Sequence, residues 1–274
     1  MNVLLNKLRG TSPLVVCVTN LVTANDCANL LLALGARPVM SDDKREIAEL
    51  VAAGDALYVN TGTLSGTQIP VMREAAATAK KYGVPAVLDA VGAGATRLRT
   101  ATALELLASG AFQVVRGNAS ELSALAGNAC ACHGVDAGAE DTVTPETAAA
   151  FARRYGVTVS VSGATDLITD GHEAYLVANG VPMMTAVTGC GCMLSAATAA
   201  FMTATDNPAL AAAQAAQAMG IAGEIARARL GEGEGTGTFR TKLIDAVNLL
   251  DAAEFERRSN VEKRTLPALC RFPL

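Results

Sequence analysis

Short apolar runs alternate with helix-length stretches along most of this chain, and that alternation restricts its fold more than any other feature. Residues 13–18 (PLVVCV), 55–60 (DALYVN), 85–89 (PAVLD), 112–116 (FQVVR) and 157–161 (VTVSV) read as buried strands. Between them, residues 24–34, 68–82, 102–109 and 145–155 read as helices. Another helix begins at Ala119, behind Asn118 as its N-cap. Gly35 and Gly83 stand where helix C-caps belong. Strands joined through helices at this spacing pair in parallel, with helices on both faces. Strands covered on both faces are apolar throughout, as these runs are. The prediction is an α/β fold, a three-layer α/β/α sandwich about a mostly parallel central sheet.

Two further runs, residues 166–169 and 173–177, flank Asp170-Gly171 and are predicted to add an antiparallel hairpin at the sheet edge. Residues 182–187 read as a last apolar strand. Long helices follow at 190–204 and 208–230, then a glycine-rich stretch at 231–237 and a final helix over 239–256. Nothing resembles a linker, so residues 1–256 are expected to form a single domain, with a charged C-terminal tail over 257–274 that is loose at its start. Residues 128–141 are polar and contain glycine, and are expected to be a mobile loop.

Composition narrows the function classes. Of the 274 residues, 51% are hydrophobic and only 4% aromatic, so a large core must be built from aliphatic side chains. The net charge of −4 leaves no basic footprint for nucleic acid. No stretch is apolar enough to span a membrane, and the first nine residues lack a signal-peptide pattern. Seven cysteines, an odd number, in a long chain without export signals are expected to be reduced thiols in a cytoplasmic protein.

Open α/β sheets bind ligands at the carboxyl ends of their strands. Asp89, Arg116-Gly117-Asn118 and Ser162-Gly163 fall at such ends, and Thr188-Gly189-Cys190-Gly191-Cys192 precedes a long helix. Glycines at 189 and 191 let backbone amides point outward at a helix start, which makes an anion site suited to a phosphoryl group. Read alone, the same turn is more simply a glycine loop that only packs a helix on the sheet. Cys130, Cys132, His133, Cys190 and Cys192 raise the question of zinc, but Cys-x-Cys spacing is a weak match to structural zinc sites. Asn118-Ala119-Ser120-Glu121 has two readings, a capping box or an acidic group near a magnesium ion. Neither a Walker A lysine nor a protein-kinase motif set is present.

Five blocks in order carry a resemblance. They are residues 30–40 (LLLALGARPVM), Asn60-x-Gly62-Thr63-Leu64, residues 88–95 (LDAVGAGA), residues 116–121 (RGNASE) and residues 188–192 (TGCGC). With the late stretch 231–239 (GEGEGTGTF), they resemble the hydroxyethylthiazole kinases over about residues 12–250. The resemblance implies a ribokinase-like α/β/α sandwich and transfer of the ATP γ-phosphoryl group to the primary alcohol of 4-methyl-5-(2-hydroxyethyl)thiazole, in thiamine biosynthesis or salvage. By position it implies Met40 and Gly189 as thiazole contacts and Arg116 and Ser162 as ATP contacts. It implies Asp89 and Glu121 as the magnesium side, with Gly189, Gly191 and Cys192 as the catalytic turn. Cys192 stands where most ribokinase-like kinases carry an aspartate base. A homotrimer with its thiazole site near a subunit boundary is also implied. Two departures are small: Cys190 where Ala or Thr is usual, and Ser162 where Thr is common. The rival readings are a hydroxymethylpyrimidine-type kinase of the same fold, and a non-catalytic nucleotide- or thiazole-binding protein.

Overall fold

The computed structural model describes residues 3–127 and 143–266. In chain order the elements are α1 (Leu5–Thr11), β1 (Leu14–Val18), α2 (Ala24–Leu34), β2 (Arg37–Met40), α3 (Ile47–Ala53), β3 (Ala56–Asn60) and α4 (Gln68–Tyr82). Then come β4 (Ala86–Asp89), α5 (Arg97–Ala108), β5 (Val114–Asn118), α6 (Ala119–Leu125), α7 (Pro145–Tyr155) and β6 (Thr158–Ser162). The chain continues through β7 (Asp166–Thr169), β8 (Glu173–Val177), α8 (Cys190–Met202), α9 (Pro208–Ala228), α10 (Thr236–Leu249), α11 (Ala252–Arg258) and β9 (Val261–Thr265).

One nine-stranded sheet runs in the order β2-β1-β3-β4-β5-β6-β7-β8-β9. Every pairing from β2 to β6 is parallel, and β7, β8 and β9 add antiparallel. Successive side chains of a strand point to opposite faces, and the core divides accordingly. Val15, Cys17, Ala56, Tyr58, Val87 and Val114 pack beneath α2, α8, α9 and α10. Val16, Val18, Leu57, Val59, Leu88 and Val115 pack against α3 to α7. The strand order reverses direction between β1 and β3, which opens a crevice at their carboxyl ends.

Several expectations are corrected. Residues 182–187 do not form a strand: Pro182–Ala186 is a 3-10 turn, whose Pro182 takes the first helical position. The final helix breaks into α10 and α11, because Leu250 is extended and Asp251 caps the new start through the Glu254 amide. The tail is not loose at its start, since β9 pairs with β8 along its whole length. Its charged residues Glu262, Lys263 and Arg264 suit an exposed edge strand, where like sequences read as loop. Three elements had no clear sequence signal. α1 and α3 are only seven residues each. β2 is four residues long and carries Pro38, which an edge strand tolerates. The expected mobile loop at 128–141, with Cys130, Cys132 and His133, lies outside the described residues.

Candidate active site

Side-chain parity builds the site. Tyr58, Val87 and Val114 face α8 and its neighbours, so the residues two further along, Asn60, Asp89 and Arg116, face the same way at the strand ends. The ladder sets them side by side: Asn60 pairs with Asp89, and Asp89 with Arg116. Ser162, the last residue of β6, completes the row, and its hydroxyl accepts from Arg116 Nη2 at 2.7 Å.

α8 covers this row. Gly189 is its N-cap, with φ of +85°. The N–H of Cys190 is taken by Val187 O and that of Met193 by Gly189 O. The amides of Gly191 and Cys192 make no such backbone bond among the described residues, as the first turn of a helix allows. Amides left free at a helix start, with the helix dipole behind them, favour an anion. A Cβ at Gly191 would lie 2.3 Å from Arg116 Nη1, so the guanidinium is seated against the turn itself. The turn, Arg116, Ser162 and Asp89 are therefore one site.

Cys192 is 8% exposed, and its sulphur meets two carboxamides, Asn20 Nδ2 and Asn60 Nδ2, each at 3.3 Å. Burial, and then the charge of Asp89, push its thiol up, against the opposing pull of Thr23, Arg116 and Asn20. Burial is the largest of these influences. Asp89 is fully buried. Its Oδ2 accepts from Asn60 Nδ2 at 2.8 Å and from the Tyr58 hydroxyl at 3.3 Å. Its Oδ1 has no hydrogen-bond partner among the described residues and faces Arg116 Nη1 at 3.6 Å. Burial raises the Asp89 carboxyl more than Arg116 lowers it. Burial also pulls the Arg116 guanidinium down, but Asp89, Glu121 and Cys192 outweigh it and hold it above its ordinary value.

Glu121 forms the capping box that its sequence position suggested. Its Oε2 accepts from Asn118 N at 2.8 Å, and its Oε1 reaches across to Gly92 N at 2.7 Å. Burial raises its carboxyl against those two amide bonds. Met40 closes β2 beside Cys17 of β1, partly buried against the α8-side core, on the other flank of the crevice from Arg116. Among the described residues, no group of three or more His, Cys, Asp and Glu is placed to cage a metal ion.

Asn20, Thr23 and Tyr58 were not singled out by sequence. Asn20 follows β1 and Asn60 ends β3, so both sit at the crevice where the strand order reverses. The available signal was a polar residue at the carboxyl end of an otherwise apolar strand.

Asp166 shapes the Ser162 end. Its Oδ1 accepts from Gly163 N at 2.9 Å. Burial pushes its carboxyl from 3.8 up to about 6, against the Gly163 amide and Arg116. A raised acid favours the fold most below its unfolded value and loses that contribution as pH climbs through the folded one. Asp166→Asn keeps an oxygen for Gly163 and removes the buried charge. It is expected to raise stability by on the order of 1–3 kcal/mol above about pH 7, and to leave it unchanged below about pH 4. Thermal melts at the two pH values check this; an equal shift at both would exclude a charge effect.

Known proteins give this geometry a context. A hydroxyethylthiazole kinase of Clostridium acetobutylicum is 42% identical over 266 residues, covering 94% of this chain and 97% of its own. The structure of the hydroxyethylthiazole kinase protein of Pyrococcus horikoshii superposes with a TM-score of 0.86 at 36% identity, covering 95% of this chain and 97% of that one. Pyridoxal kinase of Staphylococcus aureus, at 18% identity and a TM-score of 0.59 over 93% of this chain and 99% of its own, shares the fold alone, the ribokinase-like sandwich. The model of the hydroxyethylthiazole kinase family matches residues 5–253, which spans strands β1 to β8 and the turn before α8. With residues 5–253 matched by the family model and relatives of this identity and coverage, the chain belongs to the hydroxyethylthiazole kinase family.

Proposed function

We propose that this chain is the kinase its family name describes, transferring the γ-phosphoryl group of ATP to the primary alcohol of 4-methyl-5-(2-hydroxyethyl)thiazole. The observation that carries the reading is the seating of the Arg116 guanidinium against Gly191, beneath two free helix amides and one residue from the Cys192 thiol. Phosphoryl transfer has a loose transition state and asks mainly for positioning and charge stabilisation. Gly191 and Cys192 amides, the α8 dipole and Arg116 supply positive potential for the moving group. Ser162 holds Arg116 in place and shares the nucleotide side with it. Met40 and Gly189 border the thiazole. Cys192 takes the alcohol proton late, as the oxygen–phosphorus bond forms and the bond to ADP breaks.

Magnesium belongs to the same reading. Each Glu121 oxygen accepts one amide bond and keeps a further lone pair, while Asp89 is engaged by Asn60, Tyr58 and Arg116. That donor set fits an ion that would be held mostly by phosphate and water oxygens, with Glu121 and Asp89 supplying negative charge beside it, rather than a protein cage. When bound, the ion neutralises phosphate charge. The homotrimer is also part of the proposal. Leu21 and Val22, 79% and 65% exposed beside Asn20, give a neighbouring subunit apolar surface to cover. The described cysteines, Cys17, Cys27, Cys190 and Cys192, are all unpaired, which suits a cytoplasmic setting. No helix among the described residues is long and apolar enough to cross a membrane.

ADP formation on adding thiazole alcohol, compared across thiazole and pyrimidine alcohols, tests the assignment. Dependence on the thiazole alcohol is expected; preference for the pyrimidine, or no turnover, would favour the rivals. Cys192→Ala is expected to lower kcat about ten- to a hundredfold, and Cys192→Asp to retain activity. Complete loss in a folded Cys192→Asp would overturn the positional equivalence with an aspartate base.

A further inference from the structure

Two carboxamides converge on one sulphur here, and the network fixes which way each points. Asn20 Oδ1 accepts from the backbone N–H of Thr23 at 3.0 Å, and Asn60 Oδ1 from the backbone N–H of Gly62 at 2.8 Å. A backbone N–H can only donate, so these atoms are oxygens and the opposite atoms are NH₂ groups. Asn20 Nδ2 then spends one hydrogen on Asn60 Oδ1 at 3.0 Å and has one left for Cys192 Sγ. Asn60 Nδ2 faces three acceptors with two hydrogens: the Tyr58 hydroxyl at 2.8 Å, Asp89 Oδ2 at 2.8 Å and Cys192 Sγ at 3.3 Å.

We propose that Asn20 and Asn60 are positioning residues that form a two-donor cradle, holding the Cys192 sulphur in place and stabilising its thiolate. The inference rests on the reading of Cys192 as the base. A neutral thiol is a weak acceptor, and beside it Asn60 serves Tyr58 and Asp89. A thiolate is a strong acceptor, and Asn60 can turn one N–H to it because the Tyr58 hydroxyl, 3.3 Å from Asp89 Oδ2, keeps that carboxylate bonded. The cradle thus opposes what burial and Asp89 do to the same sulphur. It fixes how much of Cys192 exists in the form that can accept the alcohol proton.

The other groups around the sulphur are Asp89 on β4, Arg116 on β5, Tyr58 on β3, Cys27 on α2 and Cys190 on its own helix. Burial raises the Tyr58, Cys27 and Cys190 groups, the last to about 12, so they stay neutral near neutral pH. Asp89 and Arg116 are the charged neighbours, and the amide variants below leave both intact.

The experiment uses the full-length protein. Thiolate absorbance near 240 nm is titrated and corrected with Cys192→Ala, alongside the pH profile of kcat/KM for the thiazole alcohol. In Asn20→Ala the thiolate fraction at a fixed pH is expected to fall about tenfold or more, as loss of a hydrogen bond to a charged group implies, and the acid limb of the activity profile to move up with it. KM for ATP is expected to stay within about twofold. Asn20→Ser keeps a hydroxyl for the Thr23 amide but is too short to reach the sulphur; it should behave alike and covers the case in which Asn20→Ala does not fold. An unmoved titration midpoint overturns the cradle, whatever the activity does. A midpoint that moves while the acid limb stays put supports the cradle and overturns Cys192 as the base.

Discussion

Gly189→Ala is expected to lower kcat/KM for thiazole-alcohol phosphorylation at least about a hundredfold while the protein still folds. The residue is held at φ +85°, where a Cβ costs about 1–2 kcal/mol. That Cβ would also stand 2.5 Å from Thr23 Cγ2 and 3.1 Å from Thr23 Cβ. Thr23 is the buried N-cap of α2, and its amide is bonded to Asn20, which in turn contacts Cys192. A displaced Thr23 therefore carries its error into the position of the thiol. The start of α8, with its two free amides, shifts as well. Gly10→Ala is the control: Gly10 lies in α1 with nothing within 4 Å of a new Cβ, so activity should be unchanged. Melting curves and ADP release on both variants decide the matter. A folded Gly189→Ala with near-native kcat/KM would show that the turn does not position the reacting groups.

Arg116→Met is expected to destabilise the fold by about 3–5 kcal/mol near neutral pH, as well as to weaken ATP binding. Asp89 is fully buried, and its Oδ1 has Arg116 as its counter-charge and no hydrogen bond. Removing the guanidinium leaves that carboxylate unpaired, so the group must protonate on folding. Its folded pKa, already raised by burial, rises further. Such an acid contributes fully below the unfolded value of 3.8 and loses that contribution as pH rises, so the deficit of the variant should grow with pH. Adding Asp89→Asn should recover a large part of the loss, because the uncompensated charge is gone. Denaturant melts of the wild type, both single variants and the double variant form the cycle. A cost under about 1 kcal/mol for Arg116→Met would mean that Asp89 is stabilised by other means.

Both results turn on contacts that differ in how far sequence reveals them. Arg116, Asp89, Ser162, Gly189, Gly191 and Cys192 were all legible, because each lies near a strand end or a helix start, and all but Ser162 fall in an ordered block. The capping box of Asn118 and Glu121 was legible for the same local reason. What could not be read was the second contact of each residue. Glu121 Oε1 reaches Gly92, and Asn20 reaches Cys192 across 172 positions. Pairings of that kind leave no periodic trace.

The sequence by itself determined the layers of this protein. Helix and strand periods, caps and covered strands are local properties, and α2, α4, α7 and the β7–β8 hairpin fall where they were expected. It also determined the family, through short blocks whose order is itself informative. Only the tertiary structure decided which elements stay short, as with β2 and the turn at Pro182–Ala186, since edges and packing override local preference there. It alone turned the final charged segment into β9 by offering it the open edge of β8. And it alone set the surroundings of Cys192, because burial, two carboxamide donors and the charges of Asp89 and Arg116 act through space on a sulphur that the chain places far from all of them.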